Sequence, residues 1–280
     1  MAKKFALIGA GGYVAPKHLK AIRETGNELI AAVDKHDSLG ILDSYFPNAD
    51  VFTEIERFER HLERLKREGK PVDFVTVCTP NYLHDSHIRL GLRCGANVIC
   101  EKPLVLNSWN IPPIMEMESE YGQRVYPVLQ LRLHDKIKNI KVKEHNKIKL
   151  DYSTPRGNWY DVSWKARDEL SGGLAMNIGV HFFDMLIWKF GEVKMWSVNK
   201  YGRTMEGSLI LDKAEVQWKL SIDEDTPKRF MEINGEEIDF TEGFTELHTK
   251  VYEEILAGRG FWVEDTLPSI DLVAKIRDHE

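Results

Sequence analysis

Asn177, His181 and Asp184 stand at i, i+4 and i+7 in a run, residues 172–189, that is otherwise apolar around nearly its whole circumference. Read as a helix, such a run is buried, and its polar side chains form one narrow stripe. Buried polar groups must be paired or must face a cavity or a bound molecule. One reading is a core histidine held by the carboxylate one turn away. The other is catalysis, because an imidazole titrates near neutral pH and can move a proton in a reaction. Gly179 favours the second reading, since glycine inside a helix is costly unless something must approach closely.

Three other segments carry chemistry. Gly9-Ala10-Gly11-Gly12-Tyr13-Val14-Ala15 follows an apolar run and opens a helical pattern. Glycines there allow a tight turn and let a pyrophosphate approach the backbone at a helix N-terminus. The third fingerprint position holds Val14, where glycine or alanine is usual. Asp34 closes the second apolar run; its carboxylate can accept ribose hydroxyls and repels a 2′-phosphate, which favours NAD over NADP. Cys78-Thr79-Pro80-Asn81 and Glu101-Lys102-Pro103 each follow a further run. In an open α/β sheet, ligands bind outside the carboxyl ends of strands, where both segments are expected.

These residues need a scaffold, and the first 130 residues spell one out. Residues 5–9, 29–34, 74–77, 97–100 and 125–130 read as strands, and 15–25, 54–70, 84–94 and 114–121 as helices. The strands are apolar nearly throughout, as in a parallel sheet covered on both faces. The expected fold class is α/β: a doubly wound Rossmann domain over residues 1–130. After residue 148 the pattern changes. Residues 213–222 alternate without a fault, with Ala214, Val216, Trp218, Leu220 and Ile222 on one face, which is a half-buried antiparallel strand. Asn234-Gly235 joins two short strand-like runs as a hairpin. Residues 131–280 are therefore expected to form an α+β domain with an open, mainly antiparallel sheet, the lysine-rich 135–147 being the join and the last helix packing back on the first domain. The charged pattern of 54–70 reads as a solvated face.

Composition bounds the rest. With 280 residues, 42% hydrophobic and 29% charged, the chain has the make-up of a globular protein. A net charge of -6 argues against a nucleic-acid partner. Three cysteines, Cys78, Cys94 and Cys100, sit in apolar stretches and fit buried thiols better than disulfides. No C-x-x-C or H-E-x-x-H motif occurs, so no metal site is expected. The N-terminal apolar run leads into glycines and reads as a strand, not a signal peptide. No uninterrupted apolar run reaches the roughly 18 to 20 residues of a membrane span. A cytoplasmic protein without a membrane partner is the expectation.

Taken together, the glycine turn, Glu101-Lys102-Pro103 and the glycine pair followed by Asn177-x-x-x-His181 resemble the glucose–fructose oxidoreductase/inositol dehydrogenase/MocA family across essentially the whole chain. Most members carry aspartate where this chain has Asn177. That departure, with Cys78-Thr-Pro-Asn-Tyr-Leu-His84, Arg156-Gly-Asn-Trp-Tyr160, Ser163-Trp-Lys165 and Glu253-Glu-Ile-Leu-Ala-Gly-Arg-Gly260, is similar to a narrower group, the UDP-N-acetylglucosaminuronate 3-dehydrogenases (WlbA/WbpB type) of surface-polysaccharide and lipopolysaccharide synthesis. The chain looks shorter than that group around 135–147 and 223–229.

The resemblance implies NAD-dependent oxidation of a sugar C3 hydroxyl. It implies that Gly9, Gly11, Gly12, Tyr13, Val14, Asp34, Thr79, Pro80, Asn81, His84, Glu101, Lys102 and Gln130 hold NAD. It makes His181 the base, Lys102 the group that steadies the alkoxide, Asn177 the group that orients the sugar or nicotinamide amide, and Asp184 the partner of the imidazole. The substrate would meet Lys102, Arg132, Arg156, Asn158, Trp159, Tyr160, Trp164, Lys165, Asn177 and His181. An acidic chain that binds a diphosphate and a carboxylate needs locally placed cations, and Arg132, Arg156, Lys165 and Arg167 are available. Residues 156–160 on their own read equally as a surface loop or as a seat for a sugar or uracil ring. The family also implies a homo-oligomer, dimer or tetramer, and 2-oxoglutarate as a recycling oxidant. Two other functions stay open at this level: an NAD-dependent dehydrogenase of a free sugar or inositol-like polyol, and a non-catalytic NAD sensor.

Overall fold

The computed structural model describes residues 2–223, 225–239 and 246–279. Glu224, within the shortened segment 223–229, lies outside them. The chain divides into two compact units: Met1–Val105, Trp109–Val128 and His248–Asp265 form the first, and Leu106–Ser108, Leu129–Leu247 and Thr266–Glu280 the second.

In the first unit the elements run β1 (Lys4–Ile8), α1 (Ala15–Glu24), β2 (Glu28–Val33), β3 (Asp50–Phe52), α2 (Ile55–Arg67), β4 (Phe74–Val77), α3 (His84–Arg93), β5 (Asn97–Cys100), α4 (Ile111–Tyr121) and β6 (Val125–Pro127). The strands form one sheet in the order β3-β2-β1-β4-β5-β6, and every pair is parallel. β4 is buried along its whole length and β1 at all but its first residue, which is why these strands lack alternation. Three details differ from the sequence reading. β3 was not expected: it has three residues, with Val51 half exposed. β6 stops at Pro127, and a 3-10 turn, Gln130–Leu133, follows. α4 begins three residues early because Pro112 and Pro113 occupy its first turn, where a missing N–H costs no hydrogen bond.

The second unit contains α5 (Asp135–Lys138), β7 (Asn146–Ser153), α6 (Trp159–Val162), α7 (Asp168–Ser171), α8 (Val180–Phe190), β8 (Val193–Tyr201), β9 (Thr204–Leu211), β10 (Ala214–Ser221), β11 (Lys228–Ile233) and β12 (Glu236–Asp239); α9 (Leu247–Leu256) and α10 (Leu267–Asp278) follow. Its sheet has the order β12-β11-β7-β10-β9-β8. β7 and β10 are parallel and the other pairs antiparallel, so the sheet is mixed but mainly antiparallel. β10 buries Ala214, Val216, Trp218 and Leu220 and exposes Glu215 and Gln217, as its alternation requires. Asn234 and Gly235 both adopt positive φ, 55° and 85°, which a two-residue hairpin turn between β11 and β12 demands. α5 and the start of β7 lie within 135–147, so the join is partly structured. The helix that belongs to the first unit is α9, from His248 on; the last helix, α10, belongs to the second.

The run 172–189 is not one α-helix. Gly172 and Gly173 take φ of 80° and 77°, and the helix starts beyond them as a π-helical turn, Ala175–Gly179, that leads into α8. Residues Asp168–Phe190 are long and apolar enough to cross a membrane, but 67% of the most apolar window is buried inside the protein, as in a core helix. The outer face of the sheet bears a shallow concavity of about 410 Å³, lined by Lys149, Asp151, Ser197, Glu206, Gln217 and Lys219 among others.

Candidate functional site

The glycine turn between β1 and α1 is shaped by close approach. Gly9 has φ of 90°, and a Cβ there would lie 2.8 Å from the Cys78 carbonyl carbon. A Cβ on Gly12 would lie 3.0 Å from the Gly9 oxygen. Only bare backbone fits. The Asp34 carboxylate closes the turn from the side, accepting the amides of Gly11 (3.0 Å) and His36 (2.9 Å). A carboxylate has about four lone-pair sites, so it keeps capacity for ribose hydroxyls. Val14 supplies no side-chain cap to α1, which leaves a helix N-terminus suited by charge to a phosphate. Tyr13 is 89% exposed beside it. These features fit a dinucleotide: the cradle is one that any side chain would fill.

The two strand-end turns are tied together by His84. This ring is fully buried, with Nδ1 2.6 Å from the Pro103 carbonyl and Nε2 2.9 Å from the Thr79 carbonyl. Burial pushes its pKa below the ordinary histidine value, while both carbonyls favour the protonated ring. His84, 0% exposed, therefore braces the turns from inside instead of lining them, and Asn81 is also buried, at 5% exposure. Thr79 and Pro80 are partly exposed. Thr79 Oγ1 lies 2.9 Å from Nδ1 of His87, a ring that burial holds neutral by pushing its pKa to about 4.

Glu101 is also buried, at 6% exposure. Its Oε1 lies 3.0 Å from His18 Nε2 and 2.9 Å from His248 Nε2, and its Oε2 accepts the Lys102 amide at 3.2 Å. Burial alone would raise the Glu101 pKa, but the two imidazoles outweigh it and hold the carboxyl well below its usual range. Lys102 itself is partly exposed at the end of this assembly. No local pattern points to His18 or His248 as partners, for they lie 83 and 147 residues from Glu101.

In the second unit, Asn177 sits on the π-helical turn and His181 at the start of α8, both partly exposed. π turns reorient side chains within a helix and recur at functional sites. The close neighbour of Gly179 proves to be the core: a Cβ would lie 2.8 Å from both Leu220 and Phe183. One expected role also changes. Asp184 receives Arg132 on both carboxylate oxygens, Nε at 2.9 Å and Nη2 at 2.8 Å, with each residue 4% exposed or less. Arg132 is thus bound to a buried carboxylate and not presented to a substrate. The Gln130 amide oxygen is buried without a hydrogen-bond partner among the described residues.

A cationic and aromatic group adjoins Asn177. Asn177 hydrogen-bonds the buried Tyr160 hydroxyl, which donates to the Lys165 carbonyl at 3.0 Å. The Lys165 ammonium lies 5.6 Å from the Trp159 ring centre and 5.7 Å from that of Trp164, while the Arg156 guanidinium is 5.8 Å from Trp159. Burial, then the neighbouring Arg156 charge, lowers the Lys165 pKa. The Arg156 Nε is buried and has no hydrogen-bond partner among the described residues. Asn158 and Arg167 are exposed at the edges. Two like charges gathered over aromatic rings make a seat for an anion with a planar or sugar-like group.

Residues 3–128 match the model of an oxidoreductase family with an NAD-binding Rossmann fold (GFO/IDH/MocA), and residues 134–220 match that of its C-terminal α/β domain. The chain belongs to this family. The WlbA (WbpB) dehydrogenase from Thermus thermophilus, solved with NAD and α-ketoglutarate, is 43% identical, with a TM-score of 0.96 over 99% of this chain and 96% of that one. The same dehydrogenase solved with NAD and UDP-GlcNAcA matches at 42% identity and a TM-score of 0.95, over 99% and 95%. Curated relatives match less completely. The oxidoreductase YteT of Bacillus subtilis is 27% identical over 48% of this chain, and the match spans 33% of that protein.

Proposed function

We propose that this GFO/IDH/MocA member oxidises the C3 hydroxyl of UDP-N-acetyl-D-glucosaminuronate with NAD, yielding the 3-keto nucleotide sugar. The observation that carries this reading is the likeness, over 99% of the chain, to the Thermus protein solved with NAD and UDP-GlcNAcA. The glycine cradle and Asp34 support NAD, and the Arg156–Lys165 group supports a substrate with a diphosphate and a carboxylate.

Gly9, Gly11, Gly12, Tyr13, Val14 and Asp34 would hold the adenosine and pyrophosphate, with Thr79, Pro80, Lys102 and Gln130 toward the nicotinamide. NAD, when bound, supplies the hydride acceptor. The imidazole of His181 takes the C3 hydroxyl proton, and the Lys102 ammonium steadies the alkoxide oxygen as its negative charge develops. Asn177, anchored to Tyr160, orients the sugar by hydrogen bonding. The Lys165 and Arg156 cations pair with the anionic groups, and Trp159 and Trp164 offer apolar faces. A dicarboxylate such as 2-oxoglutarate suits the same cations, so we assign it as the oxidant that returns NADH to NAD in place. We further assign a cytoplasmic homo-oligomer, dimer or tetramer, joined through the outer face of the second sheet, where Met195 and Tyr201 are exposed.

Purified protein incubated with UDP-N-acetylglucosaminuronate, NAD and 2-oxoglutarate should convert the sugar to its 3-keto form. Myo-inositol and free glucose should give less than about a hundredth of that rate. Turnover of the free polyols in preference to the nucleotide sugar would overturn the substrate assignment. NAD binding with no oxidation of either would overturn the enzyme reading in favour of a sensor.

A further inference from the structure

Glu101, His18, His248, Tyr252 and Thr76 form a buried chain within the first unit. Tyr252 Oη lies 2.9 Å from both His18 Nδ1 and Thr76 Oγ1. The donors can be assigned along it. Glu101 is an anion, so each imidazole turns an Nε2–H toward its Oε1. Burial lowers the His18 pKa and keeps that ring neutral, so its Nδ1 accepts the Tyr252 hydroxyl, which in turn accepts from Thr76. His248 Nδ1 has no hydrogen-bond partner among the described residues. The Glu101 carboxylate is therefore gripped from α1 and from α9 on one oxygen, while its other oxygen holds the Lys102 amide.

A buried carboxylate is a poor way to gain stability, because apolar residues of the same volume often do as well. Its location is the informative part. The carboxylate that the two rings immobilise binds the main chain of Lys102, the residue whose ammonium the proposed reaction assigns to the alkoxide. With that amide held, motion at Lys102 is confined to its side chain, and a reacting group displaced by 1 Å loses about 100-fold in rate. We propose that His18 and His248 are positioning residues that act on Lys102 through Glu101. This rests on the assignment of Lys102 to the hydride-transfer step.

The same three ligand atoms could be read as a metal site. Their spacing argues against it: both N···O separations are 2.9 to 3.0 Å, whereas two ligands on one tetrahedral zinc lie about 3.4 Å apart.

The test compares His248→Leu, His248→Gln and Lys102→Ala, each in wild type, and His248→Leu in a Glu101→Gln background, using the sugar nucleotide that supports wild-type turnover. His248→Leu should lower kcat about 10- to 100-fold, move the acid limb of the kcat profile to higher pH as Glu101 loses a donor, and change the KM for NAD less than about threefold. His248→Gln, which keeps an N–H donor, should recover most of the rate. In the Glu101→Gln background His248→Leu should cost no more than about twofold, since its route to Lys102 is already broken. A folded His248→Leu enzyme with unchanged kcat and acid limb overturns the proposal, as does one stoichiometric metal ion lost on His248→Leu. If Lys102→Ala abolishes turnover while His248→Leu does not reduce it, the positioning proposal alone fails. If Lys102→Ala turns over like wild type, the assignment of Lys102 fails first.

Discussion

Asp34 and the glycines beside it show how much a few neighbouring residues can reveal. Their spacing reports a turn, a helix start and a carboxylate suited to a ribose, all of which depend on contacts a few ångströms and a few residues long. The structure adds that Asp34 also ties Gly11 and His36 into place. Asp34→Ala should therefore both loosen the turn and remove the repulsion of a 2′-phosphate. We expect the ratio of kcat/KM for NAD over NADP to fall by at least about tenfold, through about 1.4 kcal/mol or more of lost discrimination. Steady-state rates with the two cofactors check this. Arg132 teaches the reverse. As a cation in the second half it looked available to an anionic substrate, and no local pattern shows that a carboxylate 52 residues away holds it.

At the scale of elements, the Arg132–Asp184 pair fastens the 3-10 turn Gln130–Leu133 to α8, and the Ser269 hydroxyl of α10 adds a contact to Asp184 at 3.4 Å. Removing one partner leaves a buried charge uncompensated. Asp184→Ala should lower stability by about 3–5 kcal/mol, read as a lower urea midpoint with an unchanged slope. Loss of less than about 1 kcal/mol would mean that the pair is solvated in solution. Gly179 works at the same scale: its missing side chain lets the π-helical turn lie against Leu220 of β10. The nearly unbroken apolar run announced a buried helix, on which Asn177, His181 and Asp184 stand. It could not announce the π turn, because one extra residue in a helical turn leaves no mark on residue types. The strands were legible for opposite reasons in the two sheets, unbroken apolar runs where helices cover both faces and alternation where one face meets solvent. β3 escaped because three residues at an edge carry neither pattern.

For the whole molecule, acid should act through the buried imidazole and carboxylate in the same direction. Burial depresses the His18 pKa, so the unfolded chain binds a proton there first; that part of the stability is present above about pH 6.5 and declines as pH falls through the window below it. Glu101 is likewise depressed, so its contribution is full above about pH 4.5 and is lost as pH falls further. Thermal midpoints should thus drop in two stages on acidification, and Glu101→Gln should remove the second. A wild-type midpoint that stays level from about pH 7 to pH 4.5 would contradict the His18 assignment, and one that stays level below about pH 4.5 would contradict the Glu101 assignment.

What the sequence by itself determined is whatever short-range physics writes into residue order: the parallel and mainly antiparallel sheets, the glycine cradle, the strand-end turns, the hairpin at Asn234-Gly235, and the residue types able to move a hydride's accompanying proton. Only the tertiary structure decided partnership. It gave Glu101 to two histidines, Arg132 to Asp184, and the space beside Gly179 to the core. Charges and buried polar groups choose partners by distance in space, and chain order constrains that distance only over the few residues of a turn.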